Sequence, residues 1–129
     1  FFHPIQDWIG AHTADPELQP FVLPLAKAFG RLQVATGQIA KAGLKDPNEA
    51  AAASSEYLKL FALVALAFLW ARMAQTAMRQ KDSSEPEFYE AKIKTAQFFM
   101  ERVLPQTGAL LSSIMAGGST LMNFSDDAF

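Results

Sequence analysis

Cysteine is absent from the 129 residues. That excludes a disulfide scaffold, a thiolate zinc site and a cysteine nucleophile, and leaves a reducing, cytoplasmic setting as the simpler expectation. Charge of either sign is not in surplus: 11 Lys and Arg stand against 13 Asp and Glu, a formal net charge of −2. Phosphate backbones bind where Lys and Arg gather on one face, so this balance speaks against a nucleic-acid partner. The imidazoles are His3 and His12. They lack the i, i+4 spacing and the accompanying glutamate of a helical metal pair, and read as surface residues. The longest apolar run, residues 60–71 between Lys59 and Arg72, falls short of the roughly 20 residues that cross a bilayer, so no membrane span is expected. Asn-Gly and Asp-Gly hairpin signals, period-2 alternation and internal repeats are missing, which points away from β structure. The opening Phe1-Phe2-His3-Pro4 carries neither an initiator Met nor the basic and apolar stretches of a signal peptide. It reads as a cut through a longer polypeptide, with two exposed phenylalanines at the edge.

Helical periodicity is what the sequence does contain. Half of it is hydrophobic (50%), and by size scaling about two-thirds of the surface of a chain this long leaves water on folding, so residues 1–129 are expected to form one domain with a real core. Prolines and caps divide it into a short N-terminal helix and three long segments. The short helix, about residues 4–11, carries Ile5, Trp8 and Ile9. The second segment opens at Asp15-Pro16 and runs Leu18, Phe21, Val22, Leu25, Phe29, Leu32, Thr36, Ile39 to a stop at Gly43. Pro20 and Pro24 either delay its regular start or kink its first turns. The third opens at Asp46-Pro47-Asn48-Glu49 and runs unbroken to Lys81. Its three apolar turns demand protein on every side, as in a central helix or one sandwiched between two domains. The fourth opens at Ser84 with Glu87 as capping-box partner, bends at Pro105 and ends near Gly117-Gly118, followed by a short last turn and tail. The expected architecture is all-α, an antiparallel up-and-down bundle of three long helices plus the short N-terminal one.

Chemistry is sparse. Glu85, Glu87 and Glu90 fall in a helix's first turns, where carboxylates complement the dipole, and Asp126-Asp127 lie in the tail. Gly117-Gly118 has no strand before it and forms no phosphate cradle. Arg72 interrupts the apolar surface directly after Trp70-Ala71. A buried guanidinium must be paired, and Glu90, Glu101 or Glu56 could supply the carboxylate; the other reading is a contact with another domain. Phe98 and Phe99 are adjacent and cannot face the same way, so one of them reaches a second surface. Candidate contacts are therefore Arg72, Glu90, Glu101, Trp70 and Phe98. No catalytic or metal-ligating set can be assembled.

Longer strings carry a likeness. Tyr57-Leu58-Lys59-Leu60-Phe61 leads to Trp70-Ala71-Arg72-Met73-Ala74. Phe88-Tyr89-Glu90-Ala91-Lys92-Ile93-Lys94-Thr95-Ala96-Gln97-Phe98-Phe99-Met100-Glu101-Arg102-Val103-Leu104-Pro105 follows. Then come Met115-Ala116-Gly117 leading to Ser119, Leu121-Met122 and the final Asp127-Ala128-Phe129. In order and spacing these resemble the extra C-terminal helical domain of large bacterial acyl-CoA dehydrogenases, the subgroup that includes 3-methylmercaptopropionyl-CoA dehydrogenases. The likeness is close over residues 46–129 and loose over residues 1–43. It implies a parent flavoenzyme, with FAD, that oxidises an acyl-CoA to the trans-2-enoyl-CoA. The catalytic glutamate and the cofactor contacts would lie upstream of Phe1, so the resemblance places no catalytic or cofactor residue here. It implies instead a domain docked on the dehydrogenase body of the same chain, within a homo-oligomer. A free-standing helical interaction module is the alternative.

Overall fold

The computed structural model describes residues 1–80 and 82–117, and among these every regular element is helical. The order is α1 (Phe2–His12), a 3₁₀ turn (Pro16–Leu18), α2 (Gln19–Lys45), α3 (Pro47–Ala52), α4 (Ser54–Arg79), α5 (Pro86–Phe98), a π-helical turn (Phe99–Val103) and α6 (Gln106–Ala116). The short turn and tail expected after Gly118 lie outside the described residues.

Prolines set most of the boundaries. Asp15 accepts from the Glu17 amide at 3.1 Å and Pro16 opens the 3₁₀ turn. Pro20 sits in the first turn of α2, and Pro24 is absorbed inside it. α2 does not stop at Gly43 as the sequence suggests; it continues to Lys45. The break falls at Asp46, which is extended (φ −153, ψ 112), because the ring of Pro47 disfavours the helical region for the residue before it. Asp46 then caps α3 by accepting from the Asn48 amide at 3.0 Å.

Two of the long segments are interrupted. The third breaks at Ala53, whose amide turns back to the Ala50 carbonyl at 3.3 Å, so that α3 folds against α2 before α4 begins. The fourth starts at Pro86 rather than beside Ser84. Glu85 leaves the helical region (φ −127, ψ 59) ahead of that proline, and the expected capping box does not form. It also widens before Pro105: the Leu104 amide donates five residues back to Phe99 O at 2.9 Å. Since Pro105 has no N–H to continue the ladder, the π turn ends one helix and α6 starts another.

The core gathers Ile5 of α1, Phe21, Leu25 and Leu32 of α2, Leu60 and Val64 of α4 and Ile114 of α6. α4 packs on α2, α5 and α6. Beyond Val64 its buried positions are Ala67, Ala71, Ala74 and Ala77, a seam without bulk that lets neighbouring backbones approach. The expectation that α4 is covered all round is not met within this chain. At 100° per residue, Leu58 and Leu69 fall opposite the alanine seam and Leu66 and Met73 on its flank, and all four are exposed.

Candidate functional site: the outer flank of α4 and its groove with α5

α4 carries no acidic or basic residue between Lys59 and Arg72, so its outward face is as apolar as its inward one. Leu66 keeps 45% of its surface exposed and Leu69 52%. By length and composition α4 is long and apolar enough to cross a membrane, with a mean hydropathy of 1.6 over its best window. Only 28% of that window is buried by the rest of the chain. A helix at the centre of a domain would be mostly covered; this one is covered on one side.

Near its C-terminal end the face opens into a groove of about 520 Å³ against α5. Leu69, Met73 and Ala77 form one wall, Phe88 and Tyr89 the other, and the charged side chains that line it are Arg72 and Lys92. Each cation lies over an aromatic face: the Arg72 guanidinium 5.4 Å from the Phe68 ring centre and the Lys92 ammonium 5.2 Å from that of Phe88. Tyr89 packs edge-on to Phe88 with ring centres 5.2 Å apart. Ring quadrupoles hold the two cations at the rim while their charge stays available to solvent or a partner.

The Phe68 ring links this site to α1. Trp8 lies edge-on to it at 6.3 Å. The Trp8 indole N–H donates to Gln75 Oε1 at 3.1 Å, and Gln75 Nε2 meets His12 Nε2 at 3.1 Å. An indole only donates, which fixes the Gln75 amide; its NH₂ then donates to His12, whose Nε2 accepts. His12 is thus half-buried in an interhelical contact, not the free surface residue expected, whereas His3 is exposed. The opening phenylalanines are engaged too: Phe1 stacks on Phe61 of α4 at 4.4 Å and Phe2 meets Phe29 of α2 edge-on at 5.8 Å.

Arg72 is exposed rather than buried in an interhelical ion pair. One residue past Ala71, it is rotated off the buried seam to the flank of α4. Glu90 pairs within its own helix, with Lys94 at 3.2 Å, and Glu101 is exposed on the π turn. Trp70 is half-buried against the core. Of the adjacent phenylalanines, Phe99 turns inward and Phe98 remains 60% exposed, as their adjacency requires. The structure therefore brings Arg72 together with Lys92, Phe68 and Phe88, and not with Glu90, Glu101 or Phe98. Lys92 is not among the candidate contacts read from the sequence, since nothing in its local sequence says which helix it faces. Arg31 was missed as well: its Nη1 donates to Thr107 Oγ1 at 2.9 Å, satisfying a hydroxyl that is fully buried between α2 and α6. Among the described residues no group of three or more His, Asp and Glu could hold a metal ion.

Fold and site together define an all-helical domain with one apolar flank left open and a cationic groove at its end. The sequence model of the acetyl-CoA dehydrogenase C-terminal-like family matches residues 1–125, and the chain belongs to that family. The match takes in α1 and α2, where the likeness read from the residues is loose. No curated protein matches the chain.

Proposed function

We propose that this chain is the C-terminal accessory domain of an FAD-dependent acyl-CoA dehydrogenase of the 3-methylmercaptopropionyl-CoA dehydrogenase-like subgroup. It stands beside a catalytic body that oxidises acyl-CoA to trans-2-enoyl-CoA. Its role is structural: the helices run up and down as an antiparallel bundle, and the outer flank of α4 seats on the body and helps set a cytoplasmic homo-oligomer. The observation that carries this reading is the exposed apolar face Leu58, Leu66, Leu69 and Met73, too continuous for a free surface. The alanine seam, buried on α2, α5 and α6, supports a helix that lies against protein on both sides rather than in a bilayer.

FAD belongs to the body in this reading. The residues present do not fit it: Gly10, Gly30 and Gly37 lie inside helices rather than in a phosphate-cradling loop. The domain by itself is expected to show no dehydrogenase activity.

The coding sequence before Phe1 supplies one test. A flavin dehydrogenase body is expected there, and a start codon immediately upstream would replace this reading with the free-standing interaction module. The second test uses the longer chain. Leu66→Glu with Leu69→Glu is expected to leave the domain folded but to shift the oligomer's sedimentation and open the junction with the body to protease. An oligomer of unchanged mass and protease resistance would overturn the docking role.

A further inference from the structure

We propose that the α4–α5 groove receives an acidic protein segment that anchors through an apolar or aromatic side chain. This rests on the docking role above and adds the chemistry of the partner. The apolar walls, Leu69 and Met73 on one side and Phe88 on the other, form a slot that suits a single large side chain. The charged residues lining it, Arg72 and Lys92, are both cations, held over ring faces at 5.4 and 5.2 Å. The neighbouring carboxylate of Glu90 is turned to Lys94. Charge complementarity therefore calls for carboxylates on the occupant.

The groove's shape selects a protein segment over a small molecule. Ligand pockets enclose most of their ligand, whereas this groove is continuous with the exposed Leu66 and Leu69 face of α4, so an occupant can extend along the helix as a docked peptide does. An anionic membrane is the weaker match. Lipid surfaces select clusters of about four to eight cations, and here the groove is lined by two, Arg72 and Lys92.

The experiment is a titration of the ¹⁵N-labelled 129-residue chain with a short synthetic peptide of alternating phenylalanine and aspartate. Its phenylalanine–asparagine counterpart and vesicles of mixed phosphatidylserine and phosphatidylcholine serve as comparisons. The expected result is resonance shifts at Leu69, Met73, Phe88 and Tyr89, with the acidic peptide bound about tenfold more tightly than the neutral one. Arg72→Met with Lys92→Met should erase that tenfold difference, leave the neutral peptide's affinity unchanged and leave the melting temperature within a few degrees. Equal affinity for the two peptides, shifts confined to another face, or preference for the vesicles would each overturn the proposal. No dehydrogenase body enters this assay. Loss of peptide selectivity while Leu66 and Leu69 still matter in the longer chain removes the groove alone, and the reverse pattern removes the docking role alone.

Discussion

Gln75 occupies two polar groups on another helix at once, the indole of Trp8 and the imidazole of His12. Replacing it with Leu keeps the bulk and orphans both. Because the contact is only half-buried, water takes over part of the loss, and Gln75→Leu is expected to cost about 1–2 kcal/mol in urea unfolding. A cost indistinguishable from zero would mean that α1 is held by its phenylalanines alone. Arg72 leads to the opposite expectation. As the buried half of an ion pair it would leave a carboxylate stranded when replaced by Met. Standing exposed over Phe68, it contributes at most a cation–π contact, so Arg72→Met should shift stability by less than about 1 kcal/mol by the same measurement. A loss of several kcal/mol would restore the buried pair. Arg72 was singled out in the sequence because it interrupts an apolar run, which is correct. What local pattern could not supply is the rotation of α4 about its axis, which decides whether the interruption points inward or along the flank.

Helix identity was legible where apolar spacing was long and caps were strong, as in α2 and at the Asp46-Pro47 start of α3. Breaks inside a segment were not. Nothing in the alanine-rich stretch after Glu49 announces that the chain turns at Ala53, since alanine favours helix on both sides of that point, and the break is set by α3 folding back on α2. The Pro105 bend was readable, but its form was not: a π turn from Phe99 to Val103 turns Phe99 and Met100 inward just before α6 departs. The periodic stripe of α4 was equally ambiguous, because a helix apolar all round hides which side is core. The small residues resolve it. Ala67, Ala71 and Ala74 have no exposed surface and lie where α4 meets α2, α5 and α6, so any added volume must push a helix away. Ala71→Leu is therefore expected to destabilise by about 1–3 kcal/mol despite its gain in apolar area. Leu69→Ala, two positions away on the open side, should cost far less than the about 2–5 kcal/mol of a core truncation. Comparable losses in the two denaturant curves would assign α4 the wrong inner face.

For the molecule as a whole, the core of Ile5, Phe21, Leu25, Leu32, Leu60 and Ile114 closes without the outer face of α4. Folding and docking thus draw on different residues of the same helix. Leu66, Leu69 and Met73 remain exposed in the folded chain, so the hydrophobic gain from covering them is realised only on association. Polar replacement there is expected to change unfolding free energy by no more than about 0.5 kcal/mol. Association should change much more, because the patch is contiguous and apolar. The 129-residue chain alone is accordingly expected to sediment with a mass that rises with concentration. The triple variant Leu66→Gln, Leu69→Gln, Met73→Gln is expected to sediment as a monomer with its thermal transition in place. A wild-type chain that stays monomeric at every concentration would show that the face is not sticky enough to serve as an interface. A triple variant that melts several degrees lower would show that the fold itself depends on those side chains, and α4 would then be a core helix on both sides.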